Sequence, residues 1–281
     1  MAYPTVSAPY GLKPVNLIGG QVFAGSTRSL AIPYGYGTNI FYGDFVQLNR
    51  GFINRLSVTA GSSTIFPVGI FLGCSFTNPV TKQKTFSQFW PSSTLAGDAV
   101  AIVCDDPDTI FQAAICSGGT TIGSAATAMV GQNMQMLNNT GNINTGNSAN
   151  AVAGVTATPA TTSTFPVRIV GVVPDTAVAQ SYTGSSSGTT ITLTTPLAST
   201  GAVIVGSEVG YIAGNGQVIG LGSFVASVTN TTTVVLNQQG LVLGSGNDIP
   251  AASTIVFTQY PEVLVKLNMG QQAYYNSLGV A

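Results

Sequence analysis

Histidine is absent from all 281 residues. That removes Ser-His-Asp and Cys-His arrangements, zincin motifs and the commonest general base near neutral pH. Charge is nearly as scarce: eight Lys or Arg and nine Asp or Glu make up 6% of the chain, against roughly 25% in ordinary soluble domains. The basic residues, Lys13, Arg28, Arg50, Arg55, Lys82, Lys84, Arg168 and Lys266, are scattered. No stripe among them neutralises a run of phosphates, so nucleic acid is not expected as a partner. Long apolar runs are missing too. Mean hydropathy is +0.37, yet apolar residues come in bursts such as residues 99–103, far short of the ~20 that a spanning helix needs. No membrane partner is expected. The first residues, Met-Ala-Tyr-Pro-Thr, lack a basic n-region and an apolar h-region, which makes a cytoplasm the expected place of synthesis.

Cysteine is limited to Cys74, Cys104 and Cys116, an odd number without close spacing. Neither a disulfide framework nor a tight metal site is supported, and small hydrophobes buried in strands are the expected role.

What the chain does contain is a recurrent burst of four to eight β-branched and aromatic residues bounded by Gly, Pro or Asn, the pattern of strands and turns. Helical periodicity is nearly absent. The expected fold is all-β, a barrel or sandwich-like core. Its candidate strands are residues 21–32, 39–48, 52–58, 65–76, 99–104, 109–115, 165–173 and 262–268. Residues 123–137 read as a loop or a short helix, since Gly131 interrupts the one helical pattern.

The chain divides by composition. Residues 1–20 read as an N-terminal arm, and residues 21–180 with 259–281 as the core domain. Within the core, 138–163 is almost wholly Asn, Gly, Ala, Thr and Ser, too polar to order itself, hence a long loop or an arm that needs a neighbour. Residues 181–258 hold only Glu208 and Asp248 as charges. They carry alternating strands such as Thr190-Ile191-Thr192-Leu193-Thr194, and read as an inserted small β sandwich or barrel.

Few residues suggest chemistry. The acidic cluster Cys104-Asp105-Asp106-Pro107-Asp108 is of the type that serves acid/base work or a calcium ion. It also falls where a strand should turn, and a structural turn is the expected role. Gly214-Asn215-Gly216 with Gly220 and Gly222 lacks the spacing, the Lys and the helix of a phosphate loop. Aromatic residues crowd the N-terminal half. Tyr34, Tyr36 and Trp90 are the interface candidates, against core filling as the plainer role, and the same holds for Tyr274-Tyr275. No catalytic, metal or cofactor residue is assigned.

Two opening phrases, Ala8-Pro9-Tyr10-Gly11-Leu12-Lys13-Pro14-Val15 and Gly25-Ser26-Thr27-Arg28-Ser29-Leu30-Ala31-Ile32-Pro33, resemble the start of tailed-phage capsid cement proteins. There a "PFGLRPV" phrase precedes "G-x-T-R-x-x-x-I". Three more phrases agree: Phe41-Tyr42-Gly43-Asp44-Phe45-Val46, Val103-Cys104-Asp105-Asp106-Pro107-Asp108-Thr109-Ile110-Phe111, and Glu262-Val263-Leu264-Val265-Lys266-Leu267-Asn268. The resemblance implies a β-rich coat protein, trimeric, without an active site. It implies a capsid cement or decoration role on the outer virion surface, with the major capsid protein and its own copies as partners. Residues 181–258 depart from the family pattern, and a projecting module that touches glycans or a host surface is the expectation for them. The rival reading is a phage tail or receptor-binding protein of adhesin type.

Overall fold

The computed structural model describes residues 6–56, 67–154, 165–212, 218–239 and 248–268. The chain is nearly all β and forms two compact units. Among the described residues, the larger holds Val6–Gly123, Gly131–Val170 and the segment from Val263 on; the smaller holds Gly171–Glu262 with Ser124–Val130.

Among the described residues, thirteen strands precede the inserted segment. They are β1 (Lys13–Leu17), β2 (Arg28–Ala31), β3 (Phe45–Asn49), β4 (Phe52–Arg55), β5 (Gly69–Thr77), β6 (Lys84–Ser87), β7 (Val100–Cys104), β8 (Thr109–Gly118), β9 (Thr121–Ile122), β10 (Asn133–Met134), β11 (Met136–Leu137), β12 (Ala151–Ala153) and β13 (Val167–Val172). Six follow: β14 (Val178–Ser187), β15 (Thr190–Leu193), β16 (Glu208–Ile212), β17 (Val218–Asn230), β18 (Thr233–Leu236) and β19 (Ser253–Gln259). The last is β20 (Glu262–Leu267).

In the larger unit, one sheet runs β2-β7-β5-β3-β4, with β6 added to β5. Its apolar residues close on one another: Ile40, Val46, Ile53, Val68, Phe71, Trp90 and Ala101 are all fully buried in a single cluster. The second sheet runs β10-β13-β20-β8-β12-β11, with β1 and β9 also on β8. Central β8 is buried along most of its length, and β20 alternates less cleanly than its sequence suggests. A strand covered on both faces needs apolar residues on both.

The smaller unit is a closed barrel, β14-β15-β18-β17-β16-β19. Its interior is filled by Ile191, Leu193, Val209, Leu221, Val225, Val234, Leu236, Ile255 and Phe257. Alternation explains the sorting: Ile191 and Leu193 are buried while Thr192 and Thr194 face outward. Closure leaves no unpaired edge, which suits a strand set so rich in Thr and Val.

Three expectations change. The arm expected over residues 1–20 is anchored within its described part: Pro9 is buried, Leu12 is fully buried, and β1 pairs antiparallel with β8 from Lys13; residues 1–5 lie outside the described residues. A Lys13 ammonium 4.5 Å from the Tyr10 ring centroid adds a cation–π contact. The loop expected over 138–163 is anchored as far as Gly154, with β12 parallel to β8; residues 155–164 lie outside the described residues. The single strand expected over 39–48 is broken at Tyr42–Asp44 by a turn, in which Phe41 donates its N–H to the Asp44 carboxylate at 2.9 Å.

That turn explains two glycines in the phrases above. Gly11 (φ +80) and Gly43 (φ +91) lie back to back, and a Cβ on Gly43 would meet Leu12 N at 2.9 Å. Both the backbone angle and the approach exclude a side chain. The boundaries drawn at 181 and 258 also shift, because the barrel unit takes in residues 171–262 and recruits Ser124–Val130. Ala125 and Tyr260 exchange backbone hydrogen bonds of 2.6 and 2.9 Å, and the short helix of the 123–137 stretch is a single 3-10 turn, Thr127–Met129.

Candidate functional site

The Asn78 side chain organises the β5–β6 connection. Its Oδ1 accepts the N–H groups of Val80 and Thr81 at 2.8 and 3.2 Å, and Lys82 N donates to Asn78 O. This Asx turn holds Val80 outward, 85% exposed. The hairpin base is tied down by Asp98, which accepts from Thr77 N (2.9 Å) and Thr77 Oγ1 (2.7 Å) and pairs with Lys84 at 2.9 Å. The Thr77 bonds and the Lys84 ammonium hold the Asp98 carboxyl well below the usual carboxylate range.

A second loop, residues 91–96, faces the hairpin. Thr94 Oγ1 donates to Pro91 O (2.8 Å), Ser92 N to Asn39 Oδ1 (2.6 Å) and Ser93 N to Tyr36 O (2.8 Å). Between hairpin and loop lies an open depression of about 400 Å³ lined by Phe76, Pro79, Val80, Pro91, Thr94 and Leu95. Leu95 is 56% exposed. Next to it, a Cβ on Gly35 would stand 3.4 Å from Leu95 Cδ2, which brings the Tyr34-Gly35 turn beside the depression. The loops thus bring two exposed apolar side chains, Val80 and Leu95, to one place.

The three interface candidates separate here. Tyr34 is 66% exposed and stays a surface residue. Trp90 is fully buried, which overturns its interface role. Its ring meets Phe76 edge-on at 5.3 Å and 77°, and its Nε1–H goes to Tyr36 O at 3.2 Å. Phe76 lines the depression, so Trp90 supports its floor from within. Tyr36 is half-buried and acts as a strut: its hydroxyl accepts Arg55 N–H at 2.9 Å. An indole whose N–H finds a backbone partner is at home in a core. Val80 and Leu95 escaped the sequence reading because lone apolar residues in loops carry no periodic signal; Tyr274-Tyr275 and Gly214-Asn215-Gly216 lie outside the described residues.

The acidic cluster forms a turn between β7 and β8. Asp106 Oδ1 accepts Asp108 N–H at 2.9 Å, Asp105 pairs with Arg28, and Asp108 lies 3.3 Å from Lys266. The carboxylates diverge to different partners, and no group of three ligating side chains occurs among the described residues.

All three cysteines are free and buried. Burial pushes Cys74 up to about 12 and Cys104 and Cys116 up to about 11. A folded-state pKa above the unfolded value of about 8.5 means the thiols' contribution is full below that pH and is lost as pH rises toward 11–12. Denaturant midpoints are therefore expected to fall between pH 8.5 and 11, less steeply in a Cys-to-Ala triple variant. A thiol reagent at pH 8 is expected to leave the folded chain unmodified and to label all three cysteines after denaturation.

Comparison of the chain with protein-family models, curated proteins and solved structures found no match.

Proposed function

We propose that this chain is a structural subunit of a tailed-phage particle, a cement or decoration protein seated on the outside of the capsid. The observation that carries the reading is the exposed apolar depression around Val80 and Leu95 on the larger unit. It supplies area for contact with a second protein and holds no grouping of side chains suited to chemistry. The phrases that resemble cement proteins supply the particle. Two of them, around Asp44 and Asp105–Asp108, are turns, and a third, around Gly11, is bonded to Asn150 and Gly43; these hydrogen bonds lie within the larger unit.

In this reading the major capsid protein is the partner, copies of the chain associate as a homotrimer, and no cofactor takes part. The virion surface is the location, and the barrel unit is the module that meets glycans or a host surface. Many modest contacts repeated on a lattice hold strongly through effective concentration.

Counting copies by cryo-electron microscopy tests the proposal. Density on the outer shell, near-stoichiometric with the capsid protein, supports it; a few copies at the tail favour the adhesin reading. The contact is tested by Leu95→Asp and Val80→Asp. Each is expected to weaken binding to undecorated particles at least tenfold by co-sedimentation, since a buried unpaired charge costs several kcal/mol. Stability is expected to change by less than about 0.5 kcal/mol, because both residues are exposed. Unchanged binding in both variants removes the depression from the contact.

A further inference from the structure

Residues 138–150 contain one large apolar side chain, Ile143, and it is 60% exposed. Hydrophobic burial therefore does little to order this stretch, and its polar groups must supply the hold. They converge on one buried ion pair. Asp44 is fully buried; its Oδ1 accepts Ser148 Oγ–H at 2.5 Å and Asn150 Nδ2–H at 3.0 Å. Its Oδ2 accepts Phe41 N–H and lies 2.9 Å from Arg55 Nε, which is misaligned for a hydrogen bond, so that contact is Coulombic.

Arg55 in turn holds the other end of the stretch. Its Nη2 donates to Asn138 Oδ1 at 2.8 Å and to Asn139 O at 2.7 Å. Asn139 then closes the two ends on each other, donating its backbone N–H to Asn150 Oδ1 (3.0 Å) and its amide to Ala149 O (2.8 Å). The opening phrase joins through Gly11 N–H to Asn150 O at 3.0 Å. Between the fastened ends, Tyr42 N–H reaches Gly146 O and Ser148 N–H reaches Tyr42 O, leaving the turn around Ile143 outward.

We propose that the Asp44–Arg55 pair is a latch, and that it, and not a neighbouring subunit, orders residues 138–150 and presents their tip as a preformed surface feature. A charged hub that serves both ends of one segment makes the fastening all-or-none, because charge-assisted bonds lost at one end loosen the other. The latch concerns the larger unit alone and stands whether or not the capsid reading holds.

Hydrogen exchange on the full chain tests it. In Asp44→Asn, and in a double variant of Ser148→Ala with Asn150→Ala, amides of 138–150 are expected to exchange roughly tenfold or more faster than in the parent. Amides of β5 and β7 are expected to change by a smaller factor than those of 138–150, and amides of the barrel to keep their rates. Unchanged protection of 138–150 would overturn the latch. So would an equal loss across β5 and β7, which would make Asp44 a general core residue. If Asp44→Asn does not fold, the double variant, which keeps the ion pair, decides by the same two criteria.

Discussion

Trp90→Ala is expected to destabilise the larger unit by about 3–5 kcal/mol, the usual range for truncating a fully buried large aromatic. The indole is fully buried against Phe76 at 5.3 Å, in the cluster that also contains Ile40, Phe71 and Ala101. Alanine leaves a void there that neighbouring strands, fixed by their ladders, fill only in part. Tyr36 O keeps the Ser93 N–H, so the loss is one of packing and not of an orphaned carbonyl. Trp90 is the only tryptophan, so denaturation is best followed by circular dichroism. Tyr34→Ala, at an exposed position, is expected to change stability by less than about 0.5 kcal/mol. Equal effects for the two would mean that Trp90 does not support the core as described.

Arg55→Met is the second large effect, about 3–5 kcal/mol at pH 7–8, because it leaves the Asp44 carboxylate buried without its countercharge. Burial pushes the Asp44 carboxyl up; Arg55, Ser148 and the Phe41 N–H pull it back down. Without Arg55 the folded-state pKa rises further. A raised carboxyl pKa favours the folded state at low pH and loses that advantage as pH rises. The deficit of Arg55→Met relative to the parent is therefore expected to be largest at pH 7–8 and to narrow toward pH 4, measured as urea midpoints. A deficit that does not vary with pH would show that Arg55 acts through its packed stem and its bonds to Asn138 and Asn139, and not through the Asp44 charge.

Sequence and structure agree where a signal is local. The strands expected at 99–104, 109–115 and 165–173 are seen as β7, β8 and β13, each bounded by a breaker close to where the strand stops. The Asp105–Asp108 turn was legible for the same reason: Asx bonding spans two residues, as in Asp108 N–H to Asp106 Oδ1. Short strands such as β9 to β12 were not legible, since two or three residues carry no period and are held by pairing with β8, β12 or β13. The recruitment of Ser124–Val130 by the barrel unit is likewise a long-range pairing, Ala125 with Tyr260.

The site was less legible than the fold. Aromatic identity pointed to Tyr34, Tyr36 and Trp90, yet identity does not say which side of a sheet a side chain occupies. Only the path of the 91–96 loop, tied to Asn39 and Tyr36, buries Trp90 and leaves Leu95 out. Composition made 138–163 look incapable of order, a sound inference about hydrophobic burial that could not anticipate an ion pair about a hundred residues away.

By itself, then, the amino-acid sequence determined an all-β chain, through breaker-bounded bursts of β-branched and aromatic residues, and the absence of histidine-based chemistry, through composition. Tertiary structure alone decided that six strands close into a barrel, that the Asn-rich stretch is fastened to one buried carboxylate and the N-terminal phrase to that stretch, and that Val80 and Leu95 meet in one depression. Period-two patterning and turn chemistry act over a few residues, whereas closure, burial of a charge and the meeting of two loops depend on partners far apart in the chain.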